Sequence, residues 1–268
     1  MTKNRKIVGM VFLLVPLVGI VGWSAVRTGG VNSPFAPAGH SAERDASNVM
    51  LLNALKSIRH ARRAVIENIA NARTVSYKRN LVRFRDSSTV SVIRDVFQGE
   101  LLKTNRSLDM AILGRGFFQV VSTNGATYYT RRGDFHTSSD GQLVLADGYV
   151  LEPVLTVPAE ATRISIAGDG TVSCQNAHGS ESRIGGILLT TFPNVEGLSL
   201  KGAGVFAETE LSGSPVMGTP GSNGAGEIHA GFVENSNVNE REEMRILEDL
   251  VAFEGNVQHA LDMVRIRQ

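Results

Sequence analysis

Histidine and acidic residues are the side chains of this sequence best suited to catalysis or metal binding, yet they form no recognised pattern. No two of the six histidines stand four residues apart, as metal ligands on one helix would. They are His40, His60, His136, His178, His229 and His259. Among the carboxylates Asp134, Asp140, Asp147 and Asp169, the last three directly precede glycine, which is typical of turns. We therefore expect no enzyme activity and no bound metal.

Other kinds of binding site are equally weakly supported. Gly221, Gly224 and Gly226 could cradle a phosphate, but no helix or lysine follows to complete such a site. The basic run 56–63 contains no aromatic residue that could stack on a base, and the net charge is only +1. Cys174 is the single cysteine, which excludes an intramolecular disulfide. We expect no cofactor, no nucleic acid partner and no small-molecule substrate.

The N-terminus carries a long uncharged segment. Residues 7–26 contain no charged side chain, and Lys3, Arg5 and Lys6 precede them. About 20 residues at a rise of roughly 1.5 Å each can cross a hydrocarbon core of about 30 Å, so this segment predicts an N-terminal transmembrane helix in the cytoplasmic membrane. The positive-inside rule then places the rest of the chain outside the cytoplasm. A cleaved signal peptide is the alternative interpretation.

Two segments have helical periodicity. Residues 27–47 have the composition of a flexible linker, and a helix is expected from about 48 to 73 and another from about 239 to 266. Apolar residues recur in each at alternating steps of four and three, which is typical of a narrow helix-packing seam. The predicted seam comprises Ala54, Ile58, Ala61, Val65 and Ala72 in the first helix and Ile246, Leu250, Phe253, Val257, Ala260 and Val264 in the second. The first helix is mainly basic and the second mainly acidic, so opposite charges favour their pairing.

The middle of the chain has a period of two with turn signals such as Asn124-Gly125 and Asp169-Gly170, which predicts a β domain. Strands are expected near 109–113, 116–122, 126–131, 142–145, 163–166, 171–174, 185–192 and 228–233. Residues 211–226 have neither period and are expected to form an exposed loop.

The predicted fold class is therefore α+β, with the terminal helices paired as a coiled-coil-like α domain that flanks an all-β middle domain. The predicted domains are a membrane anchor or signal segment at 1–26, a linker at 27–47, paired terminal helices at 48–80 and 234–268, and a mainly β domain at 81–233.

Several segments between residues 60 and 268 resemble the rod and hook family of axial proteins of the bacterial flagellum, and most closely its distal rod members. Residues 68–79 read Asn-Ile-Ala-Asn-Ala-Arg-Thr-Val-Ser-Tyr-Lys-Arg, similar to a family signature from which Glu67 and Ser76 depart, since the family has Asn and Gly there. Residues 111–118, 129–135 and 140–144 resemble the β-domain motifs in the same order. Residues 231–239, Gly-Phe-Val-Glu-Asn-Ser-Asn-Val-Asn, are the most specific match.

This resemblance implies a structural subunit of the flagellar basal body that self-assembles through its terminal helices for motility. Its expected partners are copies of itself and other rod or hook subunits, and its expected location is the basal body on the periplasmic side of the cytoplasmic membrane, anchored through residues 7–26. The alternatives are a membrane-tethered adaptor or chaperone of rod assembly and, with less support, a periplasmic β-rich enzyme or carbohydrate binder. The predicted assembly interface comprises Leu51, Leu55, Ile58, Val65, Ile69, Asn71, Ile246, Leu247, Leu250, Val251, Phe253, Val257, Leu261 and Val264.

Overall fold

A computed structural model describes residues 39–84, 90–202 and 204–266 of the chain. The residues divide into two compact units. We call them the helical unit, with described residues 39–67, 81–84, 90–93 and 241–266, and the β unit, with described residues 68–80, 94–202 and 204–240.

The helical unit contains two long helices and one hairpin. Helix α1 spans Gly39–Ala70, helix α2 spans Glu240–Ile266, and strands β1 (Asn80–Phe84) and β2 (Val90–Arg94) form a two-stranded sheet. Helix α1 therefore begins upstream of residue 48, where the periodicity placed its start. The terminal residues of α1 and α2 and of the two strands extend into the β unit.

Apolar spacing explains which side of α1 is buried. Ala54, Ile58, Ala61 and Val65 recur at steps of four, three and four and are all buried. Helix α1 ends at Ala70, and the amide of the next residue, Asn71, donates to the carbonyl of Asn68 at 3.1 Å. Such a bond over three residues is tighter than the helical bond over four and is common in the last turn of a helix.

The β unit is built from short strands. They are β3 (Leu101–Lys103), β4 (Met110–Leu113), β5 (Phe117–Val121), β6 (Thr127–Thr130), β7 (His136–Thr137), β8 (Leu143–Val144), β9 (Val150–Glu152), β10 (Ala161–Ile166), β11 (Thr171–Asn176), β12 (Glu181–Gly186), β13 (Leu189–Thr191), β14 (Ser199–Gly202), β15 (Val205–Ala207), β16 (Val216–Gly218), β17 (Glu227–Ala230) and β18 (Phe232–Glu234). A 3-10 turn at Val195–Gly197 follows β13.

A nine-stranded sheet organises most of this unit. Its strand order is β14-β15-β6-β5-β9-β8-β7, and β13 pairs with both β5 and β16. Three smaller sheets accompany it, namely β10-β11-β12, β17-β4 and β18-β3. The main core contains buried side chains from many of these strands, including Met110, Phe118 and Leu151, and from the residues that follow β8 and β12, namely Leu145 and Ile187.

The predicted turn at Asp169-Gly170 joins β10 to β11. Gly170 has a φ of +84°, and a Cβ at this position would overlap the carbonyl of Ile187. Only glycine fits both constraints without strain. The carboxylate of Asp169 accepts a hydrogen bond from the amide of Thr171 at 2.9 Å, which closes the turn.

Two sequence-based expectations need correction. The predicted fold class included an N-terminal transmembrane helix. The described residues form a mainly β middle preceded in the chain by α1 and followed by α2. None of the helices in the described ranges is both long and apolar enough to cross a membrane, so this part of the predicted fold class is unsupported. Residues 7–26, to which the helix was assigned, lie outside the described residues. Residues 211–226, predicted as a loop, contain strand β16, because pairing with β13 supplies hydrogen bonds that local sequence does not encode.

Candidate assembly surfaces and a buried ion cluster

The predicted interface residues of α1 fall into two groups. Leu55, Ile58 and Val65 are buried. Leu51 and Ile69 are partly exposed. Asn71, just beyond the end of α1, is also partly exposed.

The predicted interface residues of α2 divide in the same way. Three of them are buried, namely Leu250, Val257 and Leu261. Four are partly exposed, namely Ile246, Leu247, Phe253 and Val264. Val251 is 51% exposed. The buried line therefore follows steps of seven and four through Leu250, Val257 and Leu261, of which the first two belong to the predicted seam and Leu261 lies beside it.

An apolar strip remains uncovered along one side of α2. Met244, Leu247 and Val251 stand at i, i+3 and i+7, so they share one helix face. Met244 and Val251 are exposed and Leu247 is partly exposed. We call these three residues the α2 outer strip, and an exposed apolar strip of this kind is suited to packing against another helix.

Opposite charges join the two helices, as their compositions suggested. The carboxylate of Glu254 on α2 accepts hydrogen bonds from Nε of Arg59 at 2.8 Å and from Nη1 of Arg62 at 2.6 Å. Both arginines retain substantial solvent exposure. Such ion pairs set register more than they add stability, since each exposed pair contributes about 0.2–1 kcal/mol.

The β unit contains a second glutamate with two cationic partners, and this one is fully buried. Glu234, at the end of β18, binds Lys78 through Oε1 and Arg131 through Oε2, with Arg131 Nη2 at 2.7 Å. The amide of Gly99 also donates to Glu234 Oε1 at 2.9 Å. We call Lys78, Arg131 and Glu234 the buried ion cluster.

Arg131 also links this cluster to the backbone of neighbouring strands. Its guanidinium donates to the carbonyls of Ile112, Gly114 and Gly116, each at 2.8 Å. Because a buried guanidinium is tolerated only when its donors are satisfied, these bonds hold the segment between β4 and β5 in place.

Burial changes the protonation chemistry of Lys78. Desolvation lowers the pKa of its ammonium group, and the adjacent Glu234 carboxylate opposes that change. Lys78 Nζ also donates to the carbonyl of Phe97 at 2.8 Å. The ammonium group is thus bound on two sides within the unit.

The segment after α1 is held by side chains that replace backbone partners. Asn68 Nδ2 donates to the carbonyl of Asn80 at 2.8 Å, and the amide of Asn80 donates to Asn68 Oδ1 at 2.7 Å. From the far end of the chain, Asn237 Oδ1 accepts from the amide of Arg79 at 2.7 Å, while its Nδ2 donates to the carbonyl of Asp95 at 2.9 Å. Residues 68–80 and 235–237 are therefore fastened together although they are far apart in sequence.

Ser76 explains one departure from the family signature. Its φ of +56° lies in the left-handed region, where glycine is favoured, and the family has glycine at this position. Here the hydroxyl of Ser76 donates to the carbonyl of Arg131 at 2.7 Å, and its amide donates to the carbonyl of Glu234 at 2.8 Å. These bonds offset the cost of the strained conformation.

The ion cluster was not predicted from the sequence. Lys78 lies beyond the end of α1 and Glu234 at the end of β18, and the two side chains are buried against each other. A signal was present, since each of the motifs at 68–79, 129–135 and 231–239 contributes one charged member to the cluster. Within the ranges that the structure describes, no cluster of three or more His, Cys, Asp or Glu side chains could hold a metal ion.

Residues 111–174 match the family described as "Flagellar hook protein FlgE/F/G D1 domain". The chain is 33% identical over 213 residues to the flagellar basal-body rod protein FlgG of Caulobacter vibrioides, covering 68% of this chain and 81% of that protein.

Two further relatives extend the comparison. The chain is 40% identical over 156 residues to the flagellar basal-body rod protein FlgG of Buchnera aphidicola subsp. Baizongia pistaciae, covering 58% of this chain and 60% of the relative. It is also 33% identical over 141 residues to the flagellar hook protein FlgE of Rhizobium meliloti, covering 43% of this chain and 35% of that protein. The matched part thus spans less than two thirds of the Buchnera relative.

Proposed function

This chain belongs to the family of flagellar rod and hook proteins, and we propose that it is a structural subunit of the flagellar basal body that assembles through its terminal helices. Its partners in this role are copies of itself and other rod or hook subunits. The role is mechanical: the protein binds neighbours and catalyses no reaction.

The observation that carries this proposal is the α2 outer strip. In α2 one line of apolar residues is already buried, while Met244, Leu247 and Val251 form a second line at its edge. A helix that served only its own chain would have polar residues there. A subunit that packs side by side with others needs an apolar surface left over after it has folded.

Charge supports the same proposal. Glu254 joins α2 to α1 within one chain, whereas the exposed carboxylate of Glu248, four residues after Met244, lies beside the outer strip. Charges that flank an apolar seam select partners and register rather than adding much affinity. The basic side chains of α1 in a neighbouring copy are suitable partners for Glu248.

The experiment replaces Val251 with Asp. Because Val251 is 51% exposed, the substitution leaves the buried line of α2 intact and should change the free energy of unfolding by less than about 0.5 kcal/mol. We expect it to abolish incorporation into purified basal bodies and to prevent swimming, since an aspartate would be buried without a partner in the assembled state.

Val154→Asp is the matched control. Val154 has a similar exposure of 48% but lies in the β unit between β9 and β10. Its variant should still enter basal bodies. Normal incorporation and swimming of the Val251→Asp protein would exclude assembly through the α2 outer strip.

A further inference from the structure

The β unit contains a cavity of about 410 Å³ with an aromatic base. Phe117, Phe192 and Phe206 are buried and stack edge to face, with ring centroids of Phe117 at 6.0 Å from Phe192 and 5.9 Å from Phe206. Val195, Leu198 and Phe97 also line the cavity, and 80% of the surface of Phe97 is exposed. We call this cavity the aromatic socket. Its volume lies within the range of about 300–1,000 Å³ that is usual for binding sites.

The polar side chains around the socket have one charge sign. Lys78, Arg94, Arg115 and Arg131 line it, and no carboxylate is among the lining residues that the structure describes. Lys78 and Arg131 are both paired with the single carboxylate of Glu234, whereas Arg115 is exposed to solvent. Arg94 donates to the carbonyl of Lys78 at 2.7 Å, which holds its guanidinium at the wall. The socket is therefore suited to an apolar side chain that has carboxylates beside it.

The same chain carries a segment of that chemistry on its surface. Residues 208–212 read Glu-Thr-Glu-Leu-Ser, and Leu211 is 77% exposed between the exposed Glu210 and the buried Ser212. We call residues 208–212 the Leu211 turn. Glu208, three residues before Leu211, is exposed as well.

Hydrogen bonds within the Leu211 turn hold Leu211 outward. The hydroxyl of Thr209 accepts from the amides of Leu211 at 3.1 Å and Ser212 at 3.2 Å, and the hydroxyl of Ser212 donates to the carbonyl of Thr209 at 2.8 Å. Asn194 Nδ2 donates to the carbonyl of Leu211 at 2.9 Å. A projection that is rigid before binding loses little conformational entropy when it docks.

We propose that the aromatic socket of one copy receives the Leu211 turn of a second copy. This inference rests on the proposed function, which requires contacts between copies, and it adds a contact made by the β unit to the one made by the helices. Leu211 contacts the aromatic base, and Glu208 and Glu210 face Arg94 and Arg115 of the neighbour. Its own socket does not take the turn, because Leu211 is exposed in the folded chain.

The proposed contact is heterologous: the turn of each copy enters the socket of the next copy, rather than two copies exchanging their turns. A heterologous contact that does not close into a ring repeats along an axis. Each copy then uses its socket once and its turn once. This geometry gives the contact a direction, which a face that pairs with itself does not have.

The experiment measures self-association of the purified full-length protein by sedimentation velocity over a range of concentrations. The turn variant is Leu211→Arg, which places a cation against the cationic socket, and the socket variant is Arg115→Glu, which repels Glu210. The matched controls are Val154→Arg and Arg163→Glu, both at exposed positions of the β unit outside the lining of the socket. We expect each test variant to weaken self-association about tenfold or more, as a central contact residue would, and each control to behave as wild type.

Mixing the two test variants is the sharper measurement. The Arg115→Glu copy keeps an intact turn and the Leu211→Arg copy keeps an intact socket. The mixture should therefore form dimers through the one remaining intact contact, but this contact should not produce trimers or larger oligomers. Wild-type behaviour of both test variants, or a mixture no different from its components, would overturn the proposal.

A comparison with Val251→Asp separates this inference from the function on which it rests. If Val251→Asp abolishes assembly while Leu211→Arg and Arg115→Glu leave it unchanged, the socket contact is wrong and assembly through the helices stands. If the wild-type chain remains monomeric at all concentrations and is absent from basal bodies, both the socket contact and the proposed function are wrong.

Discussion

Glu234 in the β unit and Glu254 in the helical unit each bind two cationic side chains, but in opposite surroundings. Glu234 is fully buried with Lys78 and Arg131. Glu254 binds Arg59 and Arg62, whose side chains are 56% and 39% exposed. A glutamate paired with two cations therefore forms a buried ion cluster in the β unit and a solvent-exposed contact between two helices in the helical unit.

The difference extends to how each unit uses its apolar residues. The β unit surrounds its core with strands, so that side chains such as Phe118 and Leu151 have no exposed surface. The described residues of the helical unit form two helices and a pair of strands, and among them Val251 and Met244 are exposed. A unit with a complete core needs no neighbour to be stable, whereas a helical unit with uncovered apolar residues gains stability from assembly.

The largest expected effect comes from removing the buried charge. Glu234→Gln leaves Lys78 and Arg131 buried without a carboxylate, which should lower the free energy of unfolding of the β unit by about 3–5 kcal/mol. Urea unfolding monitored by tyrosine absorbance measures this free energy of unfolding, because all four tyrosines lie in the β unit. The control is Glu227→Gln, an exposed glutamate on β17. A change of less than about 1 kcal/mol would show that the cluster is dispensable.

A much smaller effect is expected from the corresponding change in the helical unit. Glu254→Gln removes an ion pair with exposed partners and should cost about 0.2–1 kcal/mol for each arginine, measured by thermal unfolding at 222 nm. The cost should shrink in 1 M salt, where the Debye length is about 3 Å, whereas the cost of Glu234→Gln should persist. Glu248→Gln on the same helix is the control. Equal salt sensitivity of the Glu234 and Glu254 variants would contradict the comparison.

The smallest effect concerns a single turn charge. The hydrogen bond from the Thr171 amide holds the pKa of Asp169 below its usual value of 3.8, so its contribution to the hairpin is present above that pH and is lost as pH falls through the lowered folded pKa. The amide chemical shift of Thr171 should titrate with a midpoint below 3.8 in the wild type. Asp169→Asn keeps an oxygen acceptor and removes the titration. A wild-type midpoint at or above 3.8 would contradict this account.

The first helix shows how far periodicity alone can lead. The spacing of Ala54, Ile58, Ala61 and Val65 predicted one seam, and all four residues are buried. Helical periodicity is reliable here because every fourth or third side chain must lie on the same face. On α2 the same reasoning placed Phe253 in the seam, whereas Leu261 is buried and Phe253 is partly exposed. When the apolar stripe of a helix is wide, the sequence does not show which of its residues lie at the middle of the buried face, and packing against other elements decides it.

The β unit shows where local patterns stop being informative. Strand β16 was not predicted, because its hydrogen bonds come from β13, more than twenty residues earlier in the chain. The hairpin of β1 and β2 was not predicted either, since its strands have mixed composition and partly exposed side chains. Pairing between strands is a tertiary property, so a strand of three residues has little signal of its own.

The sequence by itself determined the two terminal helices and the mainly β middle. Its motifs also resemble those of a family of proteins that assemble into the flagellar rod and hook. Only the tertiary structure decided that Lys78, Arg131 and Glu234 share one buried site, that the residues of the aromatic socket line one cavity, and that Leu211 is exposed. The physical reason is that periodicity records which side of an element is apolar, whereas the burial of a charge depends on partners that arrive from distant parts of the chain.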